Sequence, residues 1–355
     1  MNRAREVHIV VPDGFEDPSR PSGGNTYDRR LCQELAAGGW SVHTHAVAGV
    51  WPWADETARR TLAQLLGAVP GGSLVLVDGL VASAVPEILV PGSRRLRVVA
   101  LMHLPLGCEA GHGDAFERER AVLGSVAAVV TTSDWSRRWL LAAYGLEPTR
   151  LHVANPGVDT AERAVGSDLG GNLVCVGAVT LGKGHDLLLA ALSRVADLTW
   201  RCACVGALTM APEYVAELRC GIRTAGLDDR FVLTGPRTGR QLGASYAAAD
   251  ALVLASSVES YGMVVTEALA RGLPVLATDV GGVSEALGVT PDGMRPGLLV
   301  PPGDIAALAG SLRRWLCDPA LRRRLRDAAR RRRAGLSHWS DTAARVGRVL
   351  AEVSA

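Results

Sequence analysis

The sequence predicts an α/β protein made of two doubly wound domains. Three observations carry this: twelve short apolar runs bounded by turn residues, helical patterns after nearly all of them, and a polar break that divides them into two sets of six. Apolar runs of strand length alternating with helical segments are the pattern of parallel sheets covered by helices on both faces.

The first series reads VHIVVP (7–12), SVHTHAVA (41–48), SLVLVDG (73–79), RVVALMH (97–103), AAVVTTS (127–133) and LHVAN (151–155). The second reads NLVCVG (172–177), TWRCACVG (199–206), RFVLTG (230–235), DALVLAS (250–256), PVLATD (274–279) and GLLVPP (297–302). Between them NPGVDTAERAVGSDLGG (155–171) is rich in Gly, Pro and charge and lacks periodicity, as a linker between two cores would. From Asp304 onward Ile305, Leu308, Ala309, Leu312, Trp315 and Leu316 keep helical spacing, and the chain ends in more helix. Domain limits of 1–160 and 161–336 follow.

A chain of 355 residues, 48% hydrophobic, can bury more than one core. Its first residues, MNRAREVHIVVP, pass directly from charge into a strand without the apolar region of a secretory signal, and no apolar run reaches the roughly 20 residues of a membrane span. The expected location is the cytoplasm. A net charge of +2 argues against nucleic acid as a partner.

The seven cysteines form no C-x-x-C pair and read as small buried hydrophobes, with Cys202 and Cys204 on one strand face. His103, Cys108 and His112 fit no standard zinc spacing, so no metal is expected. LRRRLRDAARRRR (321–333) reads first as a solvated helix face with Leu321 and Leu325 inward; the alternative is weak contact of its arginines (322–333) with a membrane surface or partner. Trp51 and Trp53 read as packing aromatics, with a platform for a flat acceptor as the alternative.

VCVGAVTLGKGHDLLLAAL (174–192) places Gly177, Gly182 and Lys183 at P-loop spacing, but Gly184 stands where that motif needs a hydroxyl for Mg²⁺. A strand, a glycine turn, a lysine and a helix start still make an anion site, one suited to a diphosphate without obligatory metal. Downstream, SSVESYGMVVTEALARGLPVLATDVGGVSE (256–285) puts Glu259 in a loop after a strand and Glu267 inside the following helix. Amides around Ser260 to Met263 would receive an anion, Glu259 would reach sugar hydroxyls, and Glu267 would accept from ribose hydroxyls. Taken alone, Lys183 could be a surface lysine, Glu267 a helix-surface carboxylate, and His103 a core histidine with a backbone partner.

Together, the E-x7-E pattern, the lysine loop, the turn at Gly281 and Gly282, and GLLVPPGD resemble the retaining glycosyltransferases of family 4, of actinobacterial type, over nearly the whole chain. The resemblance implies the GT-B fold, two Rossmann-like domains facing across a cleft, with nucleotide sugar bound by residues 161–336, acceptor by 1–160, and a last helix of about 337–355 packed back on the first domain. It implies that Lys183 holds the donor diphosphate, Glu259 the transferred sugar and Glu267 the ribose. Gly177 lies in the lysine loop; Ser260, Tyr261, Gly262 and Met263 serve the sugar and phosphate, and Val265 lies near the ribose. PSGGNTYDRR resembles the family's glycine loop, which assigns Gly23 and Gly24 to the phosphates, and His103 resembles the strand-end histidine that contacts the sugar.

One position departs from the family: Ala178 stands where an arginine usually follows the glycine. Arg237, Arg20 and Arg29 are candidates to replace it. The implied partners are a UDP-GlcNAc, UDP-hexose or GDP-hexose donor and a small acceptor, with a faint likeness to enzymes of pterin-type or deazapurine-type secondary metabolites. No cofactor is implied beyond the sugar nucleotide, and no residue pattern sets an oligomeric state. The alternatives are an epimerase of the same fold and a non-catalytic nucleotide-sugar binder.

Overall fold

The computed structural model describes residues 5–17, 21–108, 113–167 and 169–355. The chain divides into two compact units, one comprising residues 1–17, 23–157 and 337–355, the other 18–22 and 158–336.

The first unit holds β1 (Glu6–Pro12), β2 (Ser41–Val47), β3 (Leu74–Asp78), β4 (Arg97–Met102), β5 (Ala128–Thr131) and β6 (Leu151–Val153). They form a parallel sheet in the order β2-β1-β3-β4-β5-β6. β3 and β5 are buried along their whole length, which explains why they are apolar without alternation. The last helix, Trp339–Ser354, belongs to this unit. Tyr27 bonds Ala154 O at 2.9 Å and meets Trp339 edge to face, and Thr342 and Arg345 both bond Asn155.

The second unit holds β7 (Asn172–Val176), β8 (Arg201–Val205), β9 (Phe231–Gly235), β10 (Ala251–Leu254), β11 (Val275–Thr278) and β12 (Gly297–Val300), all parallel, in the order β12-β11-β10-β7-β8-β9. Numbered within the unit this is 3-2-1-4-5-6, the order of dinucleotide-binding sheets. Trp315 fills its core and donates Nε1–H to Gly170 O at 2.8 Å. The distal half of the stretch read as linker is therefore fastened to the unit: Asp250 accepts from Ser167 Oγ (2.7 Å), Asn172 N (2.8 Å) and Arg326 (2.8 Å).

Leu321 and Leu325 point inward and Arg323, Arg324, Arg330 and Arg331 are exposed, as a solvated helix face requires, but the other arginines of the run are engaged. Arg322, Arg332 and Arg333 donate to backbone carbonyls, Arg326 pairs with Asp250, Arg330 with Asp327 and Arg331 with Asp292. The cysteines divide as well: Cys175, Cys202 and Cys204 are buried, Cys32 and Cys108 half-buried, and Cys220 and Cys317 exposed, because the last two fall on outer helix faces. Trp51 packs, donating to Val47 O at 3.0 Å, while Trp53 is 57% exposed. No helix of the described residues is long and apolar enough to cross a membrane.

Candidate functional site

In the second sheet the strand order reverses between β7 and β10, and ligands of such sheets bind outside the carboxyl ends of the strands at that point. Lys183 follows β7 in a 3₁₀ turn (Leu181–Lys183), and Glu259 follows β10. Lys183 Nζ donates to Glu259 Oε1 at 2.5 Å, and Ser256 Oγ donates to the same oxygen at 3.0 Å. Glu259 is nearly buried, whereas about a third of the Lys183 side chain is exposed. An ammonium has three donors, so Lys183 retains capacity for an anion while one proton stays on the carboxylate.

Backbone close approach shapes this crevice. Gly184 has φ +63°, and a Cβ there would lie 2.1 Å from Ala255 O, which is why no serine or threonine can complete the P-loop pattern. Gly281 has φ +57° and would place a Cβ 1.6 Å from Glu259 O; the next residue, Gly282, donates its N–H to that oxygen at 3.0 Å. The Gly-Gly turn thus presses on the loop that carries Glu259. The Lys183 stem runs beside Gly177, with Cδ 3.6 Å from the position of a Cβ there.

Gly262 caps the helix Met263–Ala270, so Ser260, Tyr261, Gly262 and Met263 lie at a helix start, where the helix dipole favours anions. Val265, in that helix, is buried, and its N–H is bonded to Gly262 O at 2.9 Å. Glu267 lies in that helix and accepts from Tyr246 OH at 2.8 Å; Arg271 lies over the Tyr246 ring and bonds the Glu267 carbonyl. Burial raises the Glu267 carboxyl above its ordinary range, against the opposing pull of Tyr246 and Arg271. Tyr246 gave no sequence signal, since only the fold brings its helix (Gly239–Ala247) beside Glu267.

The remaining expected residues meet in the first unit. Gly23 and Gly24 open the helix Gly23–Ala37 rather than forming a loop, and a Cβ on Gly24 would stand 3.2 Å from the His103 ring. His103 has carboxylate partners: its Nε2 lies 2.8 Å from Asp28 Oδ1 and 3.3 Å from Asp78 Oδ2. Asp78 caps the helix Gly79–Ser83 with its other oxygen. Although burial favours the neutral ring, these two carboxylates raise His103 to about 10, which makes it an imidazolium at neutral pH. Burial raises the Asp28 carboxyl to about 6, with His103 pulling it down. Asp28 had a legible signal, an acid on the buried Asp28-Leu31-Leu35 row of its helix.

Of the set His103, Cys108 and His112, read as no metal site, Cys108 donates to Pro105 O at 2.9 Å and His112 lies outside the described residues. Of the arginines proposed to replace the one missing at 178, Arg237 is bonded to Ser245 Oγ at 2.8 Å, and Arg20 lies outside the described residues.

The family match falls within the unit that carries Lys183 and Glu259. Residues 166–332 match the family of glycosyl transferases group 1. A D-inositol 3-phosphate glycosyltransferase of Xylanimonas cellulosilytica is 33% identical over 261 residues, 68% of this chain and 60% of that protein. The protein of the same name from Kribbella flavida is 34% identical over 250 residues, 63% and 56% of the two chains. The chain spans about three fifths of the length of these curated relatives. Among solved structures, sucrose-phosphate synthase from Thermosynechococcus elongatus superposes with a TM-score of 0.80 at 22% identity, covering 98% of both chains. HepE of Anabaena, in complex with UDP and glucose, gives 0.78 at 18% identity, covering 98% of this chain and all of the other. The fold class is α/β GT-B, with two six-stranded parallel sheets, matching these solved structures.

Proposed function

We propose that this chain is a retaining glycosyltransferase moving a sugar from a nucleoside diphosphate sugar to a small acceptor. The observation that carries the proposal is the Lys183–Glu259 ion pair at the point where the sheet order reverses. Lys183 and the amides that open the helix Met263–Ala270 bind the donor diphosphate, and Glu259, freed in part from the lysine, accepts from sugar hydroxyls. Glu267, held by Tyr246, accepts from the ribose.

The leaving diphosphate itself takes the acceptor proton on the sugar face from which it departs, so the protein supplies alignment and positive charge, without a catalytic metal. UDP-hexoses lead the donor candidates because HepE is described with UDP and glucose; UDP-GlcNAc and GDP-hexose follow. The name shared by the inositol-phosphate relatives makes D-inositol 3-phosphate the first acceptor to test, ahead of a pterin-type or deazapurine-type metabolite. Acceptor binding falls to the first unit, where His103, with Gly24 beside it and its charge matched by Asp28 and Asp78, favours a hydroxyl-rich group.

The test is release of nucleoside diphosphate from each donor, with and without each acceptor. Acceptor-dependent release that disappears in Lys183→Ala supports the proposal. A changed sugar configuration without acceptor would mark an epimerase. Tight binding with no turnover would mark a nucleotide-sugar binder, a reading that Ala178 favours because it removes a cation from the diphosphate site.

A further inference from the structure

Beneath the Lys183 loop lies a second constellation that glycosyl transfer does not use. Cys175 on β7 and Cys204 on β8 are register partners on adjacent parallel strands, so their side chains share one face. His185, two residues after Lys183, begins the helix His185–Ser193. The two sulfurs and a ring nitrogen of His185 all lie within 4.8 Å of one another, and all three residues are buried.

We propose that Cys175, Cys204 and His185 bind a soft d¹⁰ cation, zinc(II) or copper(I), which pins both ends of the Lys183 loop. Zinc–sulfur and zinc–nitrogen bonds of about 2.3 and 2.0 Å place tetrahedral ligands roughly 3.5–3.8 Å apart. Cys175 Sγ and His185 Nε2 are already 3.7 Å apart. Thiolate and imidazole together are the ligand set that selects zinc or copper(I) over magnesium or calcium.

A second observation is independent of that distance. His185 Nδ1 is buried without a hydrogen-bond partner among the described residues, so the ring is not held there in the manner of an ordinary core histidine. With no hydrogen bond fixing the ring on its Nδ1 side, Nε2, which faces Cys175, stays available to a cation. Cation binding releases the thiol protons to solvent. Cys202, two residues before Cys204 on the same face, is the nearest further thiol.

Cys175 precedes Gly177 by two residues and His185 follows Lys183 by two, so a bound ion would brace the loop from both sides. That consequence, unlike the site itself, rests on Lys183 being the diphosphate ligand. The test uses the full chain produced in medium containing zinc or copper, desalted, with metal measured by mass spectrometry. About one equivalent per chain is expected, falling at least about tenfold in Cys204→Ser and in His185→Gln and unchanged in the exposed-site control Cys220→Ser.

Which metal is retained distinguishes the two ions. Cobalt(II) titration of the unaltered chain, expected to give thiolate-to-cobalt charge-transfer bands, keeps the proposal testable where a variant fails to fold. Less than a tenth of an equivalent of either metal with no such bands, or full occupancy in Cys204→Ser, would overturn the site. Metal removal is expected to weaken UDP binding, whereas Lys183→Ala should weaken UDP binding with metal content intact, so the two proposals fail separately.

Discussion

Replacing Gly184 by serine would complete the G-x-x-x-x-G-K-S pattern of a nucleoside triphosphate loop, and the structure predicts that the change damages the protein. Two costs add. At φ +63° a side chain sits in the left-handed region, worth about 1–2 kcal/mol for any L-residue but glycine. The new Cβ would also lie 2.1 Å from Ala255 O, where real contacts essentially never fall below 3.0 Å. The neighbour is backbone at the end of β10, so relief means moving the strand end that leads to Glu259, an overpacking cost of about 1–3 kcal/mol. The expected loss is roughly 2–5 kcal/mol. Gly182 supplies the control, since it lies in the same loop with nothing within 4 Å of a Cβ and no positive φ. Gly182→Ser should stay within about 0.5 kcal/mol of the parent. Guanidinium unfolding, read by circular dichroism and checked for unchanged slope, measures both variants. Equal stability of Gly184→Ser and Gly182→Ser would refute this account of the loop.

Three further outcomes follow from the same coordinates. Lys183→Ala removes a charge-assisted donor, worth about 1.5–3 kcal/mol, so calorimetry should show UDP binding weakened by roughly 10- to 150-fold; unchanged affinity would remove Lys183 from the site. Asp250→Asn leaves the Arg326 guanidinium without its buried carboxylate, and urea unfolding should show a loss of about 3–5 kcal/mol in the second unit, with a loss below 1 kcal/mol contradicting the network. His103 stands at about 10 in the folded chain against 6.5 unfolded. Its charge therefore contributes full stability below pH 6.5, and that contribution fades as pH rises toward about 10. Nuclear magnetic resonance should find the ring protonated at pH 8 in the parent and shifted toward 6.5 in Asp28→Asn; a neutral parent ring at pH 8 would contradict the paired carboxylates.

The twelve strands were legible because parallel strands buried on both faces must be apolar throughout and must end where glycine, asparagine or aspartate turns the chain. Lys183, Glu259 and the Gly281–Gly282 turn were legible as a pattern of spacings, but their physical relation was not. That the lysine and glutamate bond each other, and that Gly281 yields to the Glu259 carbonyl, depends on sheet order and on atoms far apart in the chain. Asp28 is legible as an acid on a buried helix row, but its pairing with His103, 75 residues on, depends on the fold.

The arginine run misleads for a different reason, because composition does not say what a guanidinium bonds. A helix leaves its last carbonyls without partners, and a planar fork of donors on a long stem suits them. Arg333 reaches Ala270 O and Arg332 reaches Leu287 O, each the last residue of its helix, while Arg322 covers Trp315 O and Leu316 O near the end of Ile305–Cys317. Elsewhere Arg95 binds Leu66 O and Val69 O at the end of Glu56–Ala68, and Arg150 binds Leu123 O and Gly124 O near the end of Gly113–Ser125. Part of a charge density that reads as a surface for anions is thus spent on closing helices. Arginine there acts through its geometry, so lysine, with the same charge, would not replace it.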